Sequence, residues 1–319
     1  RTYTSTEQMS VFNQILEKNF DGDLAKIIKP MKMLEESLEI FEELQLDIPF
    51  RQKVKIIHVA SRWLKKFPEM DISVVFIISI LRCAGGPLDV AERRHLYTKL
   101  KEKFPYGFDD NTKQMEVLYK ENLTYETPYL ESNDTNEIIA SKLTGFQQPN
   151  IYITRNMLDE EQKLLFAASN IDLIDVIFSF SIINYPLIIE GPNGSGKSSA
   201  FFYVAELLGV KTIQITISPS TTVEDLFGRF EPSNENDSLQ FDFQATPFLK
   251  AIDNENSETK HWILVENLHL ASPSVIDALE PIFNPQIDNI ALPNGSLIQR
   301  GNFFIVGLIS KSIEKQSIS

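Results

Sequence analysis

The sequence predicts an α/β fold built on a mainly parallel sheet, preceded by a separate all-helical domain. Three observations carry this. From Val11 to about Leu123 the apolar residues recur at helical spacing. From Asn150 onward short apolar strands alternate with helical stretches, the pattern that gives parallel strands with helices on both faces. Between the first clear strand and the helix after it lies a glycine-rich loop, Gly191 to Ser198.

Each element has a local reason. Met33, Leu34, Leu38, Phe41 and Leu44 step by three and four with Glu between them, as one face of an amphipathic helix does. Val54, Ile57, Ala60, Trp63 and Leu64 repeat the pattern until Pro68 stops it. Asp71 can cap a very apolar helix through Leu81, which Gly85-Gly86-Pro87 ends, and Ala91 to Phe104 forms the next. Asn122 to Gln148 is polar, contains Pro128 and Gly145, and reads as a linker. Beyond it, Ile151 to Ile153 is a short strand and Leu158 to Phe180 is helical. Strands follow at Pro186 to Glu190, Thr212 to Ile217, Trp262 to Val265 and Phe303 to Leu308. Helices fall at Ser198 to Leu208, Val223 to Phe227, Pro247 to Ile252 and Ser274 to Phe283. Asn294-Gly295, between Ile290 to Leu292 and Leu297 to Gln299, signals a hairpin.

Composition excludes several classes. The 319 residues carry 30 Lys plus Arg against 44 Asp plus Glu, a formal net charge of -14. Phosphate backbones and anionic membrane surfaces need clustered Lys and Arg, so neither direct nucleic-acid binding nor membrane adhesion is expected. A single cysteine, Cys83, rules out an internal disulfide, and with His58, His95, His261 and His269 scattered no structural metal site is expected. No apolar run reaches the ~18 residues of a membrane span. The chain starts at Arg1 and stops soon after a buried-type strand, which reads as a piece of something longer.

The sharpest chemical signal is Gly191-Pro192-Asn193-Gly194-Ser195-Gly196-Lys197-Ser198, followed by Ser199. It fits G-x-x-x-x-G-K-[ST] in full, with a buried strand before it and an apolar-faced helix after it. The glycines let the backbone curl so that successive N–H groups face a triphosphate, and the helix adds its positive N-terminal end. Lys197 would reach the β- and γ-phosphates and Ser198 would ligate Mg²⁺, so ATP and Mg²⁺ are the expected ligands. A glycine-rich turn can match by chance; the flanking strand and helix argue against that here.

Such ATPases also need an acidic residue at the end of another strand. Trp262-Ile263-Leu264-Val265-Glu266-Asn267 supplies Glu266, which can hold the ion directly or through water. Asn267 follows where a catalytic carboxylate is expected, and an amide is no general base at neutral pH. Binding of ATP with poor hydrolysis is the expectation. In a rival reading Glu266 is the base and Ser198 alone serves the ion. In the plainest reading Glu266 is a solvated residue after a buried strand.

Taken together, these residues resemble a midasin-type AAA+ module, the dynein-related family whose members string several AAA+ modules along one chain. The resemblance runs through Gly191 to Ser198, Thr221 to Gly228, Phe241-Asp242-Phe243, Pro247 to Ala251, Trp262 to Asn267, Leu268 to Leu279, the hairpin around Pro293 and Asn302 to Gly307. It departs at named places. The family's Asp-Glu is Glu266-Asn267, the Asn of its L-N-L-A is His269, and its sensor segment T-x-N-P is Leu308-Ile309-Ser310-Lys311. The resemblance makes Glu266, Asn267 and Ser310 the catalytic positions, the last two degenerate, with Ser310 too short to orient water as a sensor Asn would.

The resemblance further implies the organisation of the chain. Residues 1–122 are similar to the helical lid of a preceding module, with Val75 nearest the lid's nucleotide-sensing Arg; residues 123–150 are the linker, and residues 151–319 are a P-loop AAA+ core without its own lid. Arg229 and Arg300 sit in no motif that marks an arginine finger and read as surface charges. The partners it implies are neighbouring AAA+ modules of the same chain and assembly factors of pre-60S ribosomal particles, in the nucleolus and nucleoplasm. Two alternatives stay open: a hydrolytically active module of a dynein-like or MoxR-type mechanochemical ATPase, and an interaction module whose loop is a relic.

Overall fold

The computed structural model describes residues 5–20, 24–68, 71–85, 88, 90–105, 168–233, 240–253, 260–292 and 295–311. The chain divides into two compact units, Arg1–Arg155 and Asn156–Ser319. The expected linker at 123–150 and the strand at Ile151 to Ile153 lie outside the described residues.

The first unit is helical: α1 (Ser5–Asn19), α2 (Leu24–Glu43), α3 (Phe50–Lys66), α4 (Ile72–Cys83) and α5 (Val90–Lys103). α4 is its centre and packs on α2, α3 and α5. It is apolar all round, so nearly every residue from Ser73 to Cys83 is buried, as a helix without a polar face must be. Asp71 caps it, accepting from the N–H groups of Ser73 (2.7 Å) and Val74 (3.3 Å). Buried Ser37, Ser61 and Ser79 each donate to the carbonyl four residues back, at 2.6–2.7 Å, which settles their hydroxyls inside the bundle. In α2 the buried stripe runs through Met33, Leu34, Ser37, Ile40 and Phe41, leaving Leu38 half exposed. The apolar spacing alone points one position astray because Ser37 fills a core position.

The second unit is the α/β part. In chain order it contains α6 (Ala168–Ile182), β1 (Leu187–Pro192), α7 (Lys197–Leu207), β2 (Lys211–Thr216), α8 (Val223–Phe227), β3 (Gly228–Ser233), β4 (Gln240–Ala245) and α9 (Pro247–Ile252). Then come β5 (His261–Glu266), a 3-10 turn (Leu268–Leu270), α10 (Pro273–Phe283), β6 (Asn289–Ala291), β7 (Leu297–Gln299) and β8 (Phe303–Lys311). Four strands form one parallel sheet in the order β1-β8-β5-β2, as the alternation of strands and helices predicts. The β3–β4 hairpin, antiparallel with Phe230 opposite Phe243, was not predicted as strands: β3 carries one large apolar residue, Phe230, and β4 two, Phe241 and Phe243.

The central strands of the sheet are covered on both faces. On one, Trp262 lies between Phe201 of α7 and Phe304 of β8, ring centroids 5.5 and 4.9 Å apart. On the other, Ile263, Val265 and Ile305 join Leu226, Phe248, Leu279 and Ile282 in one apolar cluster. Gly307 of β8 permits a close approach there: a Cβ would stand 2.9 Å from Leu268 and 3.2 Å from the Phe283 ring. Among the described residues no helix is long and apolar enough to cross a membrane.

Arg300 departs from the surface charge expected of it. Its guanidinium donates to the carbonyls of Pro281 (2.7 Å), Ile282 (2.9 Å), Asn284 (2.8 Å) and Ile287 (2.7 Å), and lies 4.9 Å from the centre of the Phe303 ring. It closes the C-terminal end of α10, where carbonyls lack helical partners and a cation is favoured. Arg300→Met keeps the stem and strips these bonds. It should lower stability by about 1–3 kcal/mol, read as a lower urea midpoint with an unchanged slope.

His58 of α3 supplies a pH test. Burial, and then the nearby charges of Arg62 and Lys18, push its imidazole below the ordinary value of 6.5. The folded state therefore takes up this proton less readily than the unfolded chain. Its contribution is intact above the unfolded value and is lost as pH falls from there through the lowered one. Urea midpoints at pH 7.5 and about 5.5 should fall farther apart in the wild type than in His58→Gln.

Candidate functional site

The parallel sheet sets all four carboxyl ends along one rim, where β1 gives way to the glycine-rich loop and β5 to Glu266. Gly194 (φ +77°) and Gly196 (φ +78°) take the left-handed conformation that the loop needs to turn into α7. Among the described residues, no protein group is within hydrogen-bonding geometry of the backbone N–H groups of Gly194, Gly196 and Lys197, and Ser195 closes the turn over Asn193 and Gly194. These donors, beside the first turn of an eleven-residue helix, form a cradle suited to an anion. Pro192, Asn193, Gly194, Ser195 and Ser199 are exposed and Gly191 is half-buried.

Lys197 is buried to 8% exposure, and its ammonium sits within the loop. It donates to the carbonyl oxygens of Gly191 (3.0 Å) and Pro192 (2.6 Å) and lies 3.4 Å from the Ser195 hydroxyl. A bound phosphate would compete with these carbonyls for its protons.

Ser198, in the first turn of α7, donates to Glu266 Oε1 at 2.6 Å. The strand end and the phosphate loop, well separated in sequence, thus meet as the motif reading expects. The second carboxylate oxygen, Oε2, accepts from Gln214 Nε2 at 2.8 Å and from Thr216 Oγ1 at 3.3 Å, both on β2. The bond from Ser198 holds the Glu266 carboxyl below the usual carboxylate range; partial burial opposes it, and Gln214 and Thr216 reinforce it. An ionised carboxylate within 2.6 Å of a hydroxyl is an oxygen donor set that fits Mg²⁺.

Asn267 and Ser310, the positions expected to be degenerate, lie at the same rim. Asn267 takes the left-handed conformation (φ 56°, ψ 38°), which asparagine tolerates better than glutamate does. Its carbonyl accepts from Leu270 N–H at 2.8 Å, opening the 3-10 turn. Ser310 lies opposite Gly191 in the β1–β8 register, and its backbone N–H donates to His269 Nδ1 at 3.4 Å. A neutral His269 making this contact carries its proton on Nε2.

Sequence reading missed Gln214, Thr216 and the role of His269. The first two had a signal: Thr212, Gln214 and Thr216 alternate with Ile213, Ile215 and Ile217, marking a polar stripe along one face of a strand. The contact of His269 with the backbone of Ser310 left no trace in the sequence, because any residue supplies an N–H.

Comparison with known proteins agrees with this geometry. The AAA domain (dynein-related subfamily) matches residues 186–306, from the residue before β1 to within β8. Midasin of Dictyostelium discoideum is 31% identical over 93 residues, 29% of this chain. Midasin of Giardia intestinalis is 24% identical over 99 residues, 31% of this chain. The matched stretches of the chain span about 2% of the length of these curated relatives.

Proposed function

From residues 186–306 as a dynein-related AAA domain, in a chain of the midasin type, we propose that this module binds ATP with Mg²⁺ and hydrolyses it weakly. The observation that carries the reading is the Ser198–Glu266 bond of 2.6 Å beside an intact phosphate loop. Backbone N–H groups from Gly194 to Lys197 would receive the phosphates, Lys197 would neutralise them, and Ser198 with Glu266 would hold the ion. When bound, the ion would supply neutralisation of the phosphate charge. Weak hydrolysis follows from Asn267, an amide where a proton acceptor is wanted, and from Ser310, whose hydroxyl is shorter than a sensor amide.

In this reading the module works within a larger AAA+ ring, coupled to neighbouring modules, and the ring remodels pre-60S particles in the nucleus by releasing assembly factors. The relatives' name and the residue pattern support that setting. The helical unit at the front, a bundle around α4, serves as the lid of a preceding module. The rival reading, an active ATPase of dynein-like or MoxR type, rests on one observation: Glu266 is ionised and near the phosphate loop, so it is chemically able to act as a base.

Binding tests what the two readings share, and turnover divides them. Lys197→Ala should weaken equilibrium binding of a fluorescent ATP analogue by more than tenfold, about 1.4 kcal/mol or more; equal affinity would sink the assignment. Turnover by the wild-type chain should stay near background, and brisk turnover would favour Glu266 as base. Asn267→Glu should not rescue turnover outside an assembled ring. It should also cost about 1–2 kcal/mol of stability, since glutamate must enter the left-handed region.

A further inference from the structure

The Glu266 carboxylate is held at both oxygens, and only one of the holders belongs to the phosphate loop. Oε1 meets Ser198 at 2.6 Å; Oε2 meets Gln214 at 2.8 Å and Thr216 at 3.3 Å. The register explains how β2 reaches it. Thr216 pairs with Glu266 and Gln214 with Leu264, so both side chains stand on the sheet face that carries Glu266. Both are exposed, so packing does not account for their placement.

We propose that Gln214 and Thr216 are positioning residues for the metal-binding carboxylate, which clamp Oε2 of Glu266 and leave Oε1 as the single oxygen offered to the ion. The inference rests on the reading of this site as one for ATP and Mg²⁺. Glutamate has one more rotatable bond than the aspartate that the family pattern carries here, hence more rotamer freedom to lose on binding. A clamp from β2 removes that freedom beforehand. The amide orientation is fixed by its partner: turned over, Gln214 would set its own oxygen against the carboxylate.

The clamp also bears on which ion is held. Mg²⁺ takes one oxygen from a carboxylate in strict octahedral geometry, whereas Ca²⁺ readily takes both. With Oε2 engaged by two donors, bidentate binding is disfavoured and Mg²⁺ gains over Ca²⁺.

The test uses the whole chain and a fluorescent ATP analogue, with affinity measured in Mg²⁺, in Ca²⁺ and in EDTA. In Gln214→Leu the gain in affinity from Mg²⁺ over EDTA should shrink about tenfold, the range seen when outer partners of metal ligands are removed. Affinity in EDTA should not change, and the preference for Mg²⁺ over Ca²⁺ should narrow. Thr216→Val should act in the same direction by less. Glu266→Asp should cost less in the Gln214→Leu background than in the wild type, because the clamp that the shorter side chain would leave is already gone. An unchanged Mg²⁺ gain in Gln214→Leu, or additive losses in the pair, would overturn the proposal. A wild-type chain that gains nothing from Mg²⁺ would instead overturn the reading of the site on which the proposal rests.

Discussion

The second unit depends on one constraint: β5 is buried on both faces. Trp262, Ile263, Leu264 and Val265 are all at 0% exposure, with β2 on one side and β8 on the other. A strand in that setting can carry a charge only where it emerges. Glu266 is that residue. Because the sheet is parallel, β1 releases the chain at the same rim, and the loop from Gly191 to Ser198 begins there. The meeting of carboxylate and phosphate loop follows from strand direction and burial.

This explains what could be read in the sequence. A phosphate loop is contiguous and its residue types are demanded by backbone geometry, so Gly191 to Ser198 stands out. The central strands β5 and β8 were legible because burial on both faces leaves uninterrupted apolar runs, and β2 because its isoleucines alternate with polar residues. Gln214 and Thr216 act across strands, and a cross-strand contact requires the register before it can be seen. Arg300 looked like a solvated charge because its partners are backbone carbonyls around the end of α10, invisible in residue identities. The hairpin of β3 and β4 was obscured for a different reason: Phe230 and Phe241 remain about 60% exposed, so the strands lack the density of apolar residues that marks a core strand.

Position 267 carries two constraints at once. Its backbone must enter the left-handed region to start the 3-10 turn, and asparagine is well suited to that. Its side chain also lies next to Glu266, where a carboxylate would be needed to accept a proton from water. The residue that suits the turn is the one that cannot act as a base.

The turn then extends the effect to the next strand. Leu268 packs against Gly307, where no side chain blocks it, and the imidazole of His269 reaches the backbone N–H of Ser310. Asn267, His269 and Ser310 thus form one strip, joined through the 3-10 turn and the bond from the Ser310 N–H to the His269 ring, at the carboxyl ends of β5 and β8. Lys197, Ser198 and Glu266 form the other side, joined through side-chain bonds to the phosphate loop and to β2. No bond of the first strip depends on a side chain of the second. Under the proposed function, phosphate and ion binding therefore rest on contacts separate from those of Asn267, His269 and Ser310, so a change at those three positions leaves the binding contacts intact.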